Sequence, residues 1–158
     1  MRIALGSDHA GLALKRAIVE HLGASAGDHT LDDRGTHDAH SVDYPDIAAD
    51  LSRVVASGGA DLGILVCGTG IGMSMAANRV PGVRAALCTH SYLARMTRAH
   101  NDANVLCLGE RVVGLGVALD IVDAFITTPF EGGRHARRVE KINALDGAAH
   151  AVEPTPRS

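Results

Sequence analysis

The chain has few aromatic residues and no tryptophan, which argues against one whole class of partner. Phe, Tyr and Trp together make up 3% of its 158 residues. Surfaces that stack nucleic-acid bases depend on such side chains, and binding to the phosphate backbone depends on an excess of positive charge. The formal net charge here is −3. The composition therefore predicts no nucleic-acid partner and no attraction to an anionic membrane surface.

Long apolar runs and closely spaced cysteines are also missing. No run approaches the roughly 20 residues that cross a bilayer, and the first residues form no signal-peptide pattern, so we expect a cytoplasmic protein without a membrane partner. The three cysteines, Cys67, Cys88 and Cys107, are odd in number and far apart. This spacing indicates neither a disulfide framework nor a Cys-x-x-Cys metal site. Cys88 and Cys107 lie within apolar runs, and we expect them in the core.

Short apolar runs alternate with segments of helical periodicity along most of the chain. The runs predict five strands, at residues 2–6, 30–33, 61–66, 83–88 and 105–109. Segments with one apolar face predict helices at residues 12–22, 45–55, 73–80, 91–100, 115–126 and 134–145. This alternation implies a three-layer, Rossmann-like α/β fold, with a five-stranded parallel sheet flanked by helices. We expect one domain over residues 1–146 and a loosely ordered tail over residues 147–158.

Polar or glycine-rich segments follow four of the predicted strands. They are Asp8 with His9, residues 67–72, His90, and residues 109–111. In open parallel sheets, ligands bind beyond the carboxyl ends of the strands, near the point where the strand order switches. We therefore expect these four segments to converge on one ligand site.

The segment from Cys67 to Gly72 reads Cys-Gly-Thr-Gly-Ile-Gly and separates a predicted strand from a predicted helix. Glycines allow backbone N–H groups to approach a ligand closely, and a helix N-terminus adds about half a positive charge. Such a field favours the thiolate of Cys67, so the segment offers a base beside an oxyanion pocket. The alternative is a tight turn with an inert, buried cysteine. Met73 and Ser74 exclude the phosphate loop that ends in Gly-Lys-Ser/Thr.

Two pairs of polar residues have both a functional and a structural interpretation. Asp8 and His9 can orient a sugar hydroxyl or bind a phosphate, but Asp8 can also be a helix N-cap with His9 exposed. His100 can carry a proton near neutral pH, with Asn101 as a neutral donor. The alternative for this pair is a helix C-cap, in which Asn101 adopts the left-handed conformation.

Arg134, Arg137 and Arg138 form the densest basic cluster of the chain. Arg134 and Arg138 are four residues apart and share one helix face, a spacing that suits a phosphate dianion. A solvated basic face is the alternative. Because the cluster is far along the chain from Cys67, it is also suited to complete the pocket of a neighbouring subunit.

The stretch around His37 and His40, with Asp38 and Asp43, raises the question of a metal. It has no third well-placed ligand, so we predict no metal ion there. Tyr44 follows this stretch and is either a wall of the pocket or a packed aromatic side chain.

Taken together, these segments resemble one family, the type B ribose-5-phosphate isomerases with the related allose-6-phosphate and galactose-6-phosphate isomerases. The matching segments occur in the family's order, from residue 3 to about residue 146: Gly6-Ser7-Asp8-His9-Ala10-Gly11, Asp43-Tyr44-Pro45, Cys67-Gly68-Thr69-Gly70-Ile71-Gly72, Ala77-Asn78-Arg79, His100-Asn101, Gly109-Glu110-Arg111 and Gly132-Gly133-Arg134-His135. Some members of the family have serine at the position of Cys67 and use a glutamate after the loop. Met73 follows the loop here, so the branch with a cysteine base fits this chain.

The resemblance implies a cofactor-free aldose–ketose isomerase that interconverts ribose 5-phosphate and ribulose 5-phosphate through a cis-enediolate. In this family scheme Cys67 is the base, Thr69 assists proton exchange between the substrate oxygens, and Asp8 with His100 opens the furanose ring. Backbone N–H groups of the glycine loop, with Asn101, hold the developing oxyanion. The matching substrate-binding residues are His9, Tyr44, Gly68, Gly70, Ile71, Gly72, Asn101, Arg111, Arg134 and Arg138.

The resemblance also implies a homodimer or a dimer of dimers, with the active site at the subunit interface. Two other functions stay open from the sequence. One is the same mechanism on a different sugar phosphate, such as allose 6-phosphate or a tetrose phosphate. The other is a non-catalytic module that binds sugar phosphates, although binding alone needs no base.

Overall fold

A computed structural model of the chain describes residues 1–25, 27 and 29–147. In this part of the chain five strands form one sheet, and every neighbouring pair is parallel, in the order β2-β1-β3-β5-β4. The strands are β1 (Arg2–Ser7), β2 (Thr30–Asp33), β3 (Leu62–Cys67), β4 (Ala85–Leu87) and β5 (Val105–Gly109). The predicted fold class is confirmed. The strand order switches between β1 and β3, so the carboxyl ends of these two strands mark the ligand edge.

Helices cover both faces of the sheet and connect its strands. They are α1 (Leu12–Ala24), α2 (Tyr44–Ala56), α3 (Ile71–Ala77), α4 (Ser91–Asn101), α5 (Leu115–Thr127) and α6 (Arg134–Asn143). Short 3-10 turns precede α1 at His9–Gly11 and follow α6 at Ala144–Gly147. In the described part of the chain, no helix is long and apolar enough to cross a membrane.

Side chains of the central strands alternate between two hydrophobic cores. On one face Ile64 packs among residues of α1, α4 and α5, and on the other Leu65 packs among residues of α2 and α3. All six residues of β3 are buried. A strand that is covered on both faces needs apolar side chains in both directions, which explains its continuous apolar sequence.

The predicted helix at residues 73–80 is wrong at both ends, because α3 spans Ile71–Ala77. It begins early because Gly70 adopts a left-handed conformation, with φ of 77°, and the Ile71 N–H donates to Thr69 Oγ1 at 3.3 Å. It ends early because the Asn78 side chain bonds both backbone groups of Ala85, each at 2.9 Å. These bonds turn the chain directly into β4.

Other boundaries differ by smaller amounts. β4 has three residues instead of the predicted 83–88, because the N–H of Arg84 donates to the Asn104 side chain at 2.8 Å and not to a neighbouring strand. α6 ends at Asn143, and the chain continues as a 3-10 turn instead of the predicted helix to residue 145. The proposed tail falls largely on residues 148–158, which lie outside the described residues. The boundary of the domain therefore stays a prediction.

The left-handed residue after α4 is Asp102, not Asn101 as one alternative predicted. Its φ is 46° and its ψ is 44°. The guanidinium groups of Arg84 and Arg98 hold its carboxylate at 3.0 and 3.2 Å. Arg84 Nε also donates to the backbone oxygens of Asn101 and Asp102, at 3.1 and 2.9 Å. This double ion pair stabilises a conformation that costs a non-glycine residue about 1 kcal/mol or more.

Lys15 connects α1 to the segment after β2. Its side chain is 1% exposed, and the ammonium group pairs with the carboxylate of Asp33 and donates to the Thr36 oxygen at 2.9 Å. The N–H of Thr36 in turn donates to the Ser7 oxygen at 3.1 Å, at the carboxyl end of β1. A buried ammonium group therefore holds this segment against the ligand edge.

We expect Lys15→Met to lower the free energy of unfolding by about 2–4 kcal/mol, because it leaves the Asp33 carboxylate without its cation and Thr36 without a donor. Urea denaturation measures this loss. Lys141, the other lysine of the chain, lies exposed on α6, and Lys141→Met is the matched control. Equal midpoints for the two variants would contradict a structural role for the buried ammonium group.

Candidate active site

Cys67 is the last residue of β3, and its side chain points to the α2 and α3 face of the sheet. It is 5% exposed, and Sγ accepts a hydrogen bond from the Gly70 N–H at 3.1 Å. Cys88 and Cys107 lie in the core, as predicted. Burial raises the pKa of Cys88 to about 11 and also raises the pKa of Cys107. Both stay neutral thiols near pH 7, and of the three cysteines only Cys67 has, in the described part of the chain, a backbone N–H group that donates to its sulfur.

Close backbone contacts fix the glycine loop that follows Cys67. A Cβ on Gly70 would lie 2.5 Å from Leu87 Cδ1, and a Cβ on Gly109 would lie 2.6 Å from the Thr69 backbone. Real Cβ atoms do not approach so closely, so glycine is required at both positions. The left-handed conformation of Gly70 turns its N–H back towards the sulfur.

Neighbouring loops are hydrogen-bonded to the end of β3. The Asp8 N–H donates to the Val66 oxygen at 3.3 Å, the Glu110 N–H to the Cys67 oxygen at 2.9 Å, and the Arg111 N–H to the Gly68 oxygen at 3.0 Å. Three of the four predicted segments therefore converge directly. The fourth, at His90, follows β4 at the same edge, and its ring stacks with Tyr92 at a centroid distance of 6.4 Å.

Asp8, His9 and Tyr44 lie at the rim of this loop. Asp8 is 7% exposed and accepts the Ala10 N–H at 2.9 Å, so it is an N-cap, as one alternative predicted, and it also follows β1 at the ligand edge. His9 is exposed, and Nδ1 accepts the Val42 N–H at 3.4 Å. The Tyr44 ring packs against Gly72, where an added Cβ would lie 2.7 Å from it. Two polar side chains and an aromatic ring thus lie at the rim of the loop that follows Cys67.

Four of the predicted site residues lie elsewhere: His100, Asn101, Arg134 and Arg138. α4 runs back along the sheet and ends with His100 and Asn101 beside Arg84, which precedes β4. Arg134 and Arg138 begin α6, which packs against α4. Since a five-residue strand is roughly 15 Å long, this group lies at the opposite edge of the sheet from Cys67. Within one chain, these four residues do not come together with Cys67.

His100 forms a cluster with Glu131 and His135, two side chains that were assigned no role from the sequence. The imidazole rings of His100 and His135 stack at a centroid distance of 4.2 Å, with 3° between their planes. Glu131 Oε2 lies 3.7 Å from Nε2 of His100 and 3.8 Å from Nε2 of His135. The spacing of four between Glu131 and His135 is the only sequence signal that pointed to this cluster.

The cluster has the donor set of a zinc site but not its geometry. The three ligand atoms lie within 4.8 Å of one another. The lone pair of an imidazole nitrogen lies in the plane of its ring, and two parallel stacked planes do not meet at one ion. In addition, Nε2 of His135 already accepts a hydrogen bond from Nε of Arg134 at 3.4 Å. His37 and His40 pair separately with Asp33 and Asp38. Within the described ranges these two histidines belong to no group of three metal-ligating side chains.

Comparison with known proteins gives consistent results for sequence and structure. A model of the ribose/galactose isomerase family matches residues 3–142. The chain is 48% identical to ribose-5-phosphate isomerase B of Escherichia coli K12 over 145 residues, which cover 92% of this chain and 96% of that protein.

Solved structures agree with this result. The ribose-5-phosphate isomerase B of Clostridium thermocellum superposes with a TM-score of 0.89 at 54% identity, covering 94% of this chain and 99% of that one. The type B enzyme of Trypanosoma cruzi gives a TM-score of 0.90 at 45% identity, with the same coverage. With the family model matching nearly the whole described chain, this protein belongs to the ribose/galactose isomerase family.

Proposed function

We propose that the protein interconverts ribose 5-phosphate and ribulose 5-phosphate through a cis-enediolate, with Cys67 as the base. The observation that carries this proposal is the hydrogen bond from the Gly70 N–H to the Cys67 sulfur, in a loop that glycine contacts hold rigid. The relatives named above as ribose-5-phosphate isomerases support the choice of substrate. An isomerase of this type moves one proton between adjacent carbons and needs a base close to a site that stabilises the enediolate charge.

The loop amides supply that stabilisation in the proposal. Gly68, Gly70, Ile71 and Gly72 belong to the loop and first helical turn that follow Cys67, and the Gly70 N–H already donates to the sulfur. A backbone donor held in place beside a developing oxyanion lowers the barrier without having to reorganise. Thr69 is exposed beside them and is placed to assist proton exchange between the two substrate oxygens.

Ring opening and phosphate binding are assigned to charged groups from two copies of the chain. Asp8 of one copy removes the proton of the anomeric hydroxyl, and His100 of a second copy protonates the ring oxygen. His9 and Arg111 bind the phosphate from one side, with Tyr44 as a wall of the pocket. Arg134 and Arg138 of the second copy bind it from the other side, together with Asn101 at the oxyanion.

The separation of the two groups of residues supports a homodimer with shared sites. A single parallel sheet places Cys67 and His100 at opposite edges, so only a second copy brings His100 near the thiol. Apolar side chains lie exposed near the loop and on α3 and α4; they are Tyr44, Ile71, Met75, Tyr92 and Leu93. A surface of this composition is typical of a homodimer interface. The proposal includes the homodimer or the dimer of dimers as the assembly, and a cytoplasmic location.

Cys67→Ala should abolish conversion of ribose 5-phosphate, with a loss of at least about 10³-fold in kcat, because no other group can take the proton. The assay is run with a chelator, beside allose 6-phosphate and a tetrose phosphate. Cys88→Ala, at a buried thiol, is the matched control and should keep its kcat. Turnover of another sugar phosphate alone would keep the mechanism and change the assigned substrate. Unchanged turnover in Cys67→Ala would exclude Cys67 as the base, and binding of sugar phosphate without conversion by the unmodified protein would favour the binding module.

Gly70→Ala should lower kcat at least about tenfold, because a Cβ at this left-handed residue forces the loop away from Leu87 and displaces the donor to Cys67. Gly116→Ala is the control, since Gly116 lies on α5 and a Cβ there meets nothing within 4 Å. Thermal unfolding shows whether both variants fold. An active, folded Gly70→Ala protein would show that this donor is not required.

A mixture of two defective chains tests the shared site. Cys67→Ala and His100→Ala chains, co-expressed with different tags, should form hybrid dimers that each contain one intact site and one doubly defective site. Because about half of the dimers in a statistical mixture are hybrids, the mixture should reach about a quarter of normal activity. Activity of the purified hybrid no higher than the average of the two single variants would place the whole site within one chain.

A further inference from the structure

The cluster around His100 is held by the main chain as well as by side chains. Glu131 belongs to the segment between α5 and α6, and its backbone N–H donates to the Ala99 oxygen at 3.0 Å, in the last turn of α4. This bond holds the backbone of Glu131, and so the start of its side chain, beside the last turn of α4, which contains His100. The carboxylate itself is 58% exposed, so solvent reaches one side of the cluster.

Two helix ends give the stacked rings different surroundings. His100 is the second-last residue of α4, whose C-terminal end is the negative end of the helix dipole. His135 is the second residue of α6, at a positive end, and is directly preceded by Arg134. The His100 side chain is 35% exposed and that of His135 is 8% exposed. The two stacked rings therefore lie in different electrostatic surroundings, and His135 is the more buried of the two.

The charges that face the pair act in the same direction. Burial lowers the pKa of His135, and His100, Arg134 and Arg138 lower it further, against the opposing effect of the Glu131 carboxylate. His135 is therefore neutral at pH 7. Two imidazolium rings stacked 4.2 Å apart would repel each other, so a neutral His135 adds no positive charge beside His100, and the Glu131 carboxylate lies 3.7 Å from Nε2 of His100.

We propose that His135 and Glu131 are positioning residues for His100: the His135 ring fixes the plane of the His100 ring, and the Glu131 carboxylate fixes the direction of its Nε2 and supplies a negative charge beside it for the proton transfer in ring opening. The inference rests on the proposed function. In the step concerned, the C1–O4 bond of the furanose breaks, O4 takes the proton of His100, and the C1 hydroxyl gives its proton to the carboxylate of Asp8. Neither Glu131 nor His135 touches the substrate in this scheme.

Glu131→Gln separates this role from a general structural one. The amide keeps the shape and removes the charge, so the variant should lose about tenfold in kcat for ribose 5-phosphate. The high-pH limb of its activity should move to lower pH, because the substitution removes the negative charge that faces the His100 ring. Glu140 is also an exposed glutamate but lies within α6. Glu140→Gln is therefore the matched control and should change neither kcat nor the pH profile.

A second readout bypasses ring opening. Ribulose 5-phosphate has no furanose form, because its 5-hydroxyl carries the phosphate, so Cys67 can remove its C1 proton without help from His100. In D2O, Glu131→Gln should therefore exchange deuterium into C1 of ribulose 5-phosphate at the normal rate, within about twofold, while net isomerisation falls. NMR of the ketose measures exchange and conversion in one sample.

Variants of His135 test the role of the ring. His135→Phe keeps a flat ring and should retain kcat within about threefold, whereas His135→Ala frees the His100 ring and should lose about tenfold. Thermal unfolding shows whether each variant is folded. If His135→Phe fails to fold, the Glu131→Gln result alone decides.

Three results would overturn the proposal. They are an equal fall of exchange and isomerisation in Glu131→Gln, an unchanged pH profile in that variant, and equal kcat values for folded His135→Ala and the unmodified protein. Failure of the proposed function has a different signature, since the unmodified protein would then convert no ribose 5-phosphate at all.

Discussion

The structure depends on the close approach of backbone segments around the end of β3. Strand β3 is covered on both faces, and its last residue meets loops from β1 and β5 whose N–H groups donate to Val66, Cys67 and Gly68. Glycine at residues 70 and 109 makes this approach sterically feasible. Once these segments are in contact, the sulfur of Cys67 has an N–H donor that is fixed before any ligand arrives. Such preorganisation is the property that an enediolate site needs most.

Parallel topology then divides the chemistry of the chain between two edges. The carboxyl edge of the sheet holds Cys67 and Asp8 together with His9 and Arg111, and the opposite edge holds His100, Arg134 and Arg138. Each group is well packed in its own place, and neither is a complete site for a sugar phosphate. The exposed apolar side chains near the thiol support the second copy that we propose to close this gap.

The sequence predicted the fold well because apolar runs and helix periodicity are local signals. It also predicted which loops meet, because the carboxyl ends of parallel strands share an edge. It failed where a long-range contact decides: Asn78 ends α3 by bonding Ala85, and two arginines place Asp102 in the left-handed conformation expected for Asn101. The donor to Cys67 depends on the sign of one φ angle at Gly70, which no residue pattern specifies uniquely. The contact between Glu131 and His100 joins segments 31 residues apart, beyond the reach of periodicity.

The groups around Cys67 and His100 lie at opposite edges of the sheet, and this makes the amount of active site depend on protein concentration. A site that needs two copies exists only while the copies are associated, so its formation follows the law of mass action. On the two-copy arrangement that we propose, dilution removes function before it unfolds the chain, and a bound sugar phosphate, by contacting both copies, opposes that dissociation. Substrate would then act as a cross-link between subunits, and the amount of active enzyme would rise faster than the amount of protein.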